Sequence, residues 1–335
     1  MPRFLLNRPF LAAAIAICTV LYLSFFSLQR LDWPLNLFDN NSDRQVETFD
    51  FQDIADEKRC FDRGAASSST PIPNVVHAIW LNNPNMTFIS YLALRSALIS
   101  LRPDKLKLHY TASFNEDNVW FQKLRNNLTL VYHDLAAEYP EQLRQQWQVT
   151  HLADALRLDV IRQEGGIYMD MDVIVLRSFD NLRHCERDVL LGYEGGDRHG
   201  LCNAIIVGRQ NASFIRRWID SYSDFDSKKW NYHSVILPKE LAQEHPDEIC
   251  PLSPTAFFWP TWTEKHIRYM HEPISEAEAR DLERTMDANG GGLYANQLAY
   301  HAWSQVAWEP YLQYLTPEIV MEKDTRFNVM VRRFS

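Results

Sequence analysis

Apolar positions along this chain gather into short runs, each followed by a stretch with helical spacing. V-V-H-A-I-W at 75–80 has strand length, and the pattern from about Phe88 to Leu101 predicts a helix. The alternation then repeats. L-K-L-H-Y-T (106–111) precedes a helix near 116–126, and L-T-L-V-Y-H (128–133) precedes one near 135–147. A helix from about 150 to 164 leads into I-Y-M-D-M-D-V-I-V-L (167–176), and C-N-A-I-I-V (202–207) forms a further apolar run. Strand–helix alternation predicts an α/β domain, a mainly parallel sheet covered on both faces. Ligands of such sheets sit beyond the carboxyl ends of the strands. Trp80 and the aspartates of the 167–176 run fall at such ends.

The amino-terminal pattern is different. Residues 10–28 contain no charge, glycine or proline, and nineteen residues at helical rise match the ~30 Å hydrocarbon core. Arg3 and Arg8 come first, which places that end in the cytosol. A cleaved signal peptide is the rival, but its apolar region is ~7–15 residues long and ends in small residues. This run is longer and leaves through Leu28-Gln29-Arg30. The expected order is a cytosolic tail (1–9), a transmembrane signal-anchor (10–28), a polar stem (29–70) and a lumenal catalytic domain (71–335). Phe49, Phe51, Cys60 and Phe61 suggest that the distal stem docks onto that domain.

Composition agrees with a lumenal domain. The N-x-[ST] sequons at Asn40, Asn85, Asn127 and Asn211 all follow the apolar run. Of five cysteines, Cys18 lies inside it; Cys60, Cys185, Cys202 and Cys250 remain, with three possible pairings and no zinc spacing. Net charge is −9 without a basic stripe, which argues against nucleic acid as a partner.

Candidate chemistry concentrates at 150–180. Residues two apart in a strand share a side, so Asp170 and Asp172 can aim at one point with Met171 turned away. Two convergent carboxylates suit Mn²⁺ or Mg²⁺. Asp154 and Arg157 share a helix face; the planar fork of Arg157 suits a sugar or phosphate, and an ion pair with Asp154 is the bland reading, though both can hold at once. Tyr168 alternates with the aspartates and either faces the site or packs. Asn203 either binds a sugar hydroxyl or caps a turn. Each element alone has a bland reading: a solvated D-x-D, a helix stop at Gly165-Gly166, a surface ion pair.

The order of the motifs adds more. I-P-N-V-V-H-A-I-W (72–80), L-A-D-A-L-R-L-D-V-I (152–161), G-G-I-Y-M-D-M-D-V (165–173), C-N-A-I-I-V (202–207) and H-A-W (301–303) resemble glycosyltransferase family 32. The resemblance implies a GT-A (Rossmann-like) nucleotide-sugar-binding fold in a Golgi membrane enzyme of type II topology, with the catalytic domain lumenal. It implies a retaining hexosyltransferase, mannosyl- or galactosyl-, with Asp170, Asp172 and Arg157 as catalytic residues. His301 becomes a third ligand to Mn²⁺ or Mg²⁺ beside Asp170 and Asp172. Trp80, Asp154, Arg157, Tyr168, Asn203 and Trp303 become substrate-binding residues, with Trp80 on the nucleobase and Trp303 on the diphosphate. The implied donor is GDP-mannose, UDP-galactose or UDP-N-acetylglucosamine, and the acceptor a hydroxyl of a glycan, lipid or other molecule.

F-F-W-P-T-W (257–262) either stacks an acceptor sugar or packs as an aromatic cluster, and Glu194 and Asp197 in a glycine-rich loop are acceptor candidates. Two other classes remain. D-x-D-x-V also fits a phosphatase with Asp170 as nucleophile, but Lys228-Lys229 and Asp224/Asp226 fall in a polar loop rather than after apolar strands. An inactive lumenal glycan-binding protein of the same fold is the third; the intact D-x-D and Arg157 argue against it.

Overall fold

The structure is a computed structural model that describes residues 45–61, 70–139, 149–226, 229 and 231–335. The predicted tail, anchor and most of the stem, with Cys18 and Asn40, lie outside the described residues, as does the predicted helix beyond Tyr139. Among the described residues no helix is long and apolar enough to cross a membrane. The compact unit runs from Gln45 to Ser335 and so takes in the distal part of the expected stem.

Among the described residues nine strands form two sheets: β1 (Val75–Trp80), β2 (Lys105–Tyr110), β3 (Leu128–Tyr132), β4 (Gly166–Met169), β5 (Val173–Val175), β6 (Val189–Glu194), β7 (Gly200–Gly208), β8 (Ile249–Leu252) and β9 (Ala299–His301). Seven build the central sheet in the order β3-β2-β1-β4-β7-β6-β8, and β5 pairs with β9 in a separate ribbon. The pairings β3/β2, β2/β1, β1/β4 and β6/β8 are parallel, and only β7 runs against its neighbours. The α/β expectation therefore holds, with one reversed strand in the middle.

Both faces of the sheet are buried. Ile167 and Met169 lie in one core with Leu92 and Leu94 of the helix Phe88–Leu101. Tyr168 points into the other, with Leu156 and Leu158 of the helix Val149–Glu164 and Trp218. The first helix starts where the Thr87 hydroxyl accepts the Ser90 N–H and stops at Arg102 in the left-handed region. The second stops at Gly165 (φ 67) and Gly166 (φ 116). These glycines do more than end a helix. A Cβ on Gly166 would sit 2.4 Å from the Val75 carbonyl, and one on Gly165 2.6 Å from the Gln210 nitrogen. Only bare backbone lets β4 enter beside β1.

One departure from the sequence reading matters most. The run 167–176 is not one strand. It breaks at Asp170–Asp172, which form a turn between β4 of the large sheet and β5 of the small one. The β-branched residues of V-I-V continue the apolar pattern, but their partner is β9, with Val173 opposite His301. The convergence of the two carboxylates thus comes from a turn and not from strand alternation.

Three histidines stand one on β1, one on β2 and one just past β3. His77 Nε2 donates to the Gly165 carbonyl (3.1 Å), which fixes its Nδ1 as acceptor for His109 Nε2–H (3.0 Å). His109 Nδ1 then accepts from His133 (2.8 Å), whose Nδ1 meets Glu138 (2.8 Å). Burial lowers the pKa of His77, and it lowers His109 to about 2, helped by the neighbouring imidazoles.

Asn85, Asn127 and Asn211 are exposed. Cys250 is disulfide-bonded, whereas Cys185 and Cys202 are free, so the four cysteines do not form two bridges. Residues 45–57 strap across the turn after β6: Gly196 N–H donates to Val46 (2.9 Å), and Arg198 grips Glu57 (2.6 Å) and the Gln52 carbonyl (2.7 Å).

Candidate active site

The carboxyl ends of β1 and β4 and the amino-terminal half of the reversed β7 meet at one edge of the large sheet. There β4 delivers Asp170, whose N–H donates to the Ala204 carbonyl of β7 (2.9 Å). The β5/β9 ribbon delivers the other two polar groups. Because Val173 pairs with His301, the imidazole is carried back to Asp172 from 129 positions along the chain, and His301 Nε2 lies 3.1 Å from Asp172 Oδ1. Asp170, Asp172 and His301 each offer a ligand atom, and these atoms lie within 4.8 Å of one another.

Asp172 is held firmly. Its Oδ2 accepts the Ser304 N–H (2.8 Å), and its carbonyl accepts the Ala302 N–H (2.9 Å). Burial opposes its charge, yet His301 and the Ser304 bonds outweigh burial and bring its pKa to about 2. His301 is the converse: burial disfavours its cation, and Asp172 more than compensates, so its pKa is raised. His301 Nδ1 is buried with no hydrogen-bond partner among the described residues. Two carboxylates and an imidazole are a donor set suited to Mn²⁺.

Asp170 is fixed from the other side. Tyr168 Oη donates to its Oδ1 (2.6 Å), and Arg157 Nη1 lies 3.1 Å away. Arg157 also lies 3.3 Å from Asp154, donates to the Asn203 carbonyl (3.0 Å) and to Asn203 Oδ1 (2.9 Å), and stacks over the Tyr168 ring at 4.7 Å. The Asn203 amide donates to Asp154 (2.8 Å). All four residues around Asp170 are buried. Burial raises the Asp154 pKa against the opposing pull of Arg157 and Asn203, and raises Tyr168 well above its usual range. Arg157 stays a cation: burial disfavours it, but Asp170, Tyr168 and Asp154 more than offset that.

Asp154, Arg157, Tyr168, Asn203 and Asp170 therefore form one bonded network, and the Asp172–His301 pair lies beside it, its ligand atoms within 4.8 Å of that of Asp170. The fork of Arg157 faces oxygens of Asp154, Asp170 and Asn203, and Asn203 holds both Asp154 and Arg157. Trp80 ends β1 half-buried, its indole N–H donating to the Asn83 carbonyl (2.5 Å). Trp303 is buried, and its N–H is taken by the Pro260 carbonyl (2.9 Å), while its ring packs 4.1 Å from His301. In F-F-W-P-T-W the packed reading holds for 257–261, all buried; Trp262 is partly open.

Sequence reasoning missed Ser304, although it follows H-A-W directly, because its contribution is a backbone N–H. It also missed the histidine chain, whose members lie on separate elements. Of the lysines that the phosphatase reading needs, Lys228 lies outside the described residues, and Lys229 stands over the Tyr232 ring at 4.9 Å.

The chain is similar to several known proteins. The family described as a glycosyltransferase sugar-binding region containing a DXD motif matches residues 36–188. Over 281 residues the chain is 36% identical to glucan organizing enzyme 1 of Cryptococcus neoformans, covering 78% of this chain and 70% of that one. Among solved structures, the glycosyltransferase GlyE of Streptococcus pneumoniae is similar at 14% identity and a TM-score of 0.46, over 78% of this chain and 60% of that one. The PaToxG glycosyltransferase is similar at 17% identity and a TM-score of 0.42, over 79% and 88%.

Proposed function

This chain belongs to the glycosyltransferases with a DXD-containing sugar-binding region, and on that premise we propose that it moves a hexose from a nucleotide-diphosphate sugar to a hydroxyl acceptor, with retention. The observation that carries the reading is the convergence of Asp170, Asp172 and His301, brought from two sheets to within 4.8 Å. Their oxygens and imidazole fit Mn²⁺ or Mg²⁺. A divalent cation held by these three residues would neutralise the charge that grows on the leaving diphosphate.

The chain's own residues do the rest. Ser304 and Ala302 N–H groups fix Asp172, and His301 with Ser304 keeps it ionised. Tyr168 and Arg157 orient Asp170, and Asp154 and Asn203 lock Arg157, so the first carboxylate is pre-positioned at little cost when the donor binds. Arg157 in this reading is a positioning residue that acts through Asp170. Trp80 offers a half-buried ring at the end of β1 for the nucleobase. The GT-A fold, type II topology, Golgi location and mannosyl or galactosyl specificity complete the proposal, supported by the resemblance of the motifs and by the 10–28 apolar run.

The test uses the full chain in detergent with GDP-mannose, UDP-galactose and UDP-N-acetylglucosamine. Mn²⁺-dependent release of nucleoside diphosphate from one donor is expected, and its loss in Asp170→Asn and Asp172→Asn. No release from any donor, or equal release in both variants, would defeat the reading.

A further inference from the structure

The large sheet has two edges, and they are guarded differently. β8 contains Pro251, which has no N–H to offer a further strand, and the helix Ala55–Phe61 lies against it. β3 forms the other edge and pairs with β2 alone. Among the described residues no backbone group of 129–132 bonds on the outer side. The strand reads L-T-L-V-Y, with no charge, proline or glycine, and its register with β2 runs without a bulge. Tyr132 stands 61% exposed at its end. Such an edge is a template for a second chain, and a short uncharged run of high β-propensity aggregates when it is left bare.

One device lies beside this edge. Asn127-Leu128-Thr129 is a sequon that begins one residue before β3 and ends inside it. Asn127 and Thr129 are exposed, while Leu128 anchors the segment in the core. Among the described residues neither polar side chain has a hydrogen-bond partner. The other two described sequons are engaged. Asn85 Oδ1 accepts from Asn115 (2.8 Å) and Thr87 caps a helix, while the Ser213 hydroxyl accepts from Arg216 (3.0 Å).

We infer that Asn127 is a modification site for an N-linked glycan, and that this glycan shields the open edge of β3 from a second copy of the chain. The inference rests on the lumenal placement proposed above, where such glycans are attached. The co-reactant is a lipid-linked oligosaccharide diphosphate, supplied with its transfer enzyme by the secretory host. The Asn127 amide nitrogen bonds to the anomeric carbon as the C–O bond to the diphosphate breaks; the lipid diphosphate leaves, and the amide gives up one proton. At strand rise the five residues of β3 span about 17 Å. A bulky hydrated glycan rooted at one end of that length keeps another strand from docking along it.

The experiment expresses the full chain in a eukaryotic secretory host and purifies it in detergent. Glycan release by glycosidase in heavy-oxygen water, followed by peptide mass spectrometry, reads occupancy at Asn85, Asn127 and Asn211. Light scattering after size exclusion reads self-association. Asn127 should be occupied, and Thr129→Ser should keep it so. Asn127→Gln and Thr129→Ala should lose the glycan and self-associate at concentrations at least about tenfold lower. Thr129→Glu also removes the sequon, but it sets a charge on the edge opposite Lys107; it should stay as dispersed as the unaltered protein. That rescue without a glycan is what a general loss of solubility would not produce. A bare Asn127 beside an occupied Asn85 or Asn211 overturns the inference and leaves the lumenal placement standing. So does glycan loss without added self-association, or a Thr129→Glu protein that associates like Thr129→Ala. A chain bare at every sequon overturns both.

Discussion

Removing the charge of Arg157 is the most direct test of how the site is held. The guanidinium lies 3.1 Å from Asp170 and 3.3 Å from Asp154 and donates twice to Asn203. At an effective dielectric of about 20, each ionic contact carries roughly 5 kcal/mol of attraction. Much of that offsets the cost of taking three charges out of water. Arg157→Met keeps similar volume and leaves Asp154 as a buried, uncompensated carboxylate. The expected loss is about 3–5 kcal/mol, a fall of roughly 10 °C in Tm for a domain of this size. Burial already pushes the Asp154 pKa up with Arg157 present. Without it the group escapes by taking a proton, so the loss should shrink as pH falls. Asp154→Asn should cost less alone and should rescue Arg157→Met, because a neutral amide needs no counter-charge. Denaturant unfolding of the four proteins closes the cycle, with an expected coupling of about 1.5 kcal/mol or more. Additivity within ~0.5 kcal/mol, or a loss below about 1 kcal/mol in Arg157→Met, would refute the argument that charge balance positions Asp170. Arg157→Lys keeps the charge but not the fork, so it should recover part of the stability and little turnover.

Three further outcomes are expected. Asp172→Asn should weaken Mn²⁺ binding by calorimetry at least about tenfold, since affinity for hard cations follows ligand charge, while the far-ultraviolet circular dichroism stays native; unaltered affinity would remove Asp172 from the ligand set. His109, held at a pKa of about 2 chiefly by burial, has a folded value below its unfolded one, so the unfolded chain takes the proton first. Stability is therefore complete above about pH 6.5 and declines below it by up to ~1.4 kcal/mol per pH unit, about 2 kcal/mol by pH 5. A urea midpoint series from pH 7.5 to 5 should be flatter in His109→Gln, and identical slopes would count against the burial argument. Gly166→Ala places a methyl carbon 2.4 Å from the Val75 carbonyl at φ 116; a loss above about 3 kcal/mol or failure to fold is expected, and an unchanged Tm would show that β4 can shift.

Local elements were legible where local chemistry decides them. The strand Val75–Trp80 and the helix Phe88–Leu101 have the expected bounds because the apolar run and the helical spacing are local to them; the Thr87 cap and the left-handed Arg102 that bound the helix were not read from the sequence. The break at Asp170–Asp172 was not legible. I-Y-M and V-I-V have equal strand character, and the choice of different partners for them is made by residues 299–301. Residue identities in the site were readable from the motif order, but their bonding was not. Asp154 and Arg157 announce an ion pair three residues apart, yet nothing local shows that Asn203 and Asp170 complete it. The strap had a trace in Phe49 and Phe51, whose rings do pack on Trp259; its grip on the Gly196 turn needed the fold.

The three-residue ribbon of β5 and β9 has a consequence for variation in this protein. Opposite Val173 stands His301; one position of slippage would present Tyr300 or Ala302 instead and turn the imidazole to the other face. Every ligand would still be spelled in the chain, but the site would be gone. Ile174 opposite Tyr300 and Val175 opposite Ala299, residues with no polar role, act as the combination that keeps the triad aligned. Substitutions at these apolar positions should behave in genetics like active-site lesions while leaving each acidic and imidazole group in place.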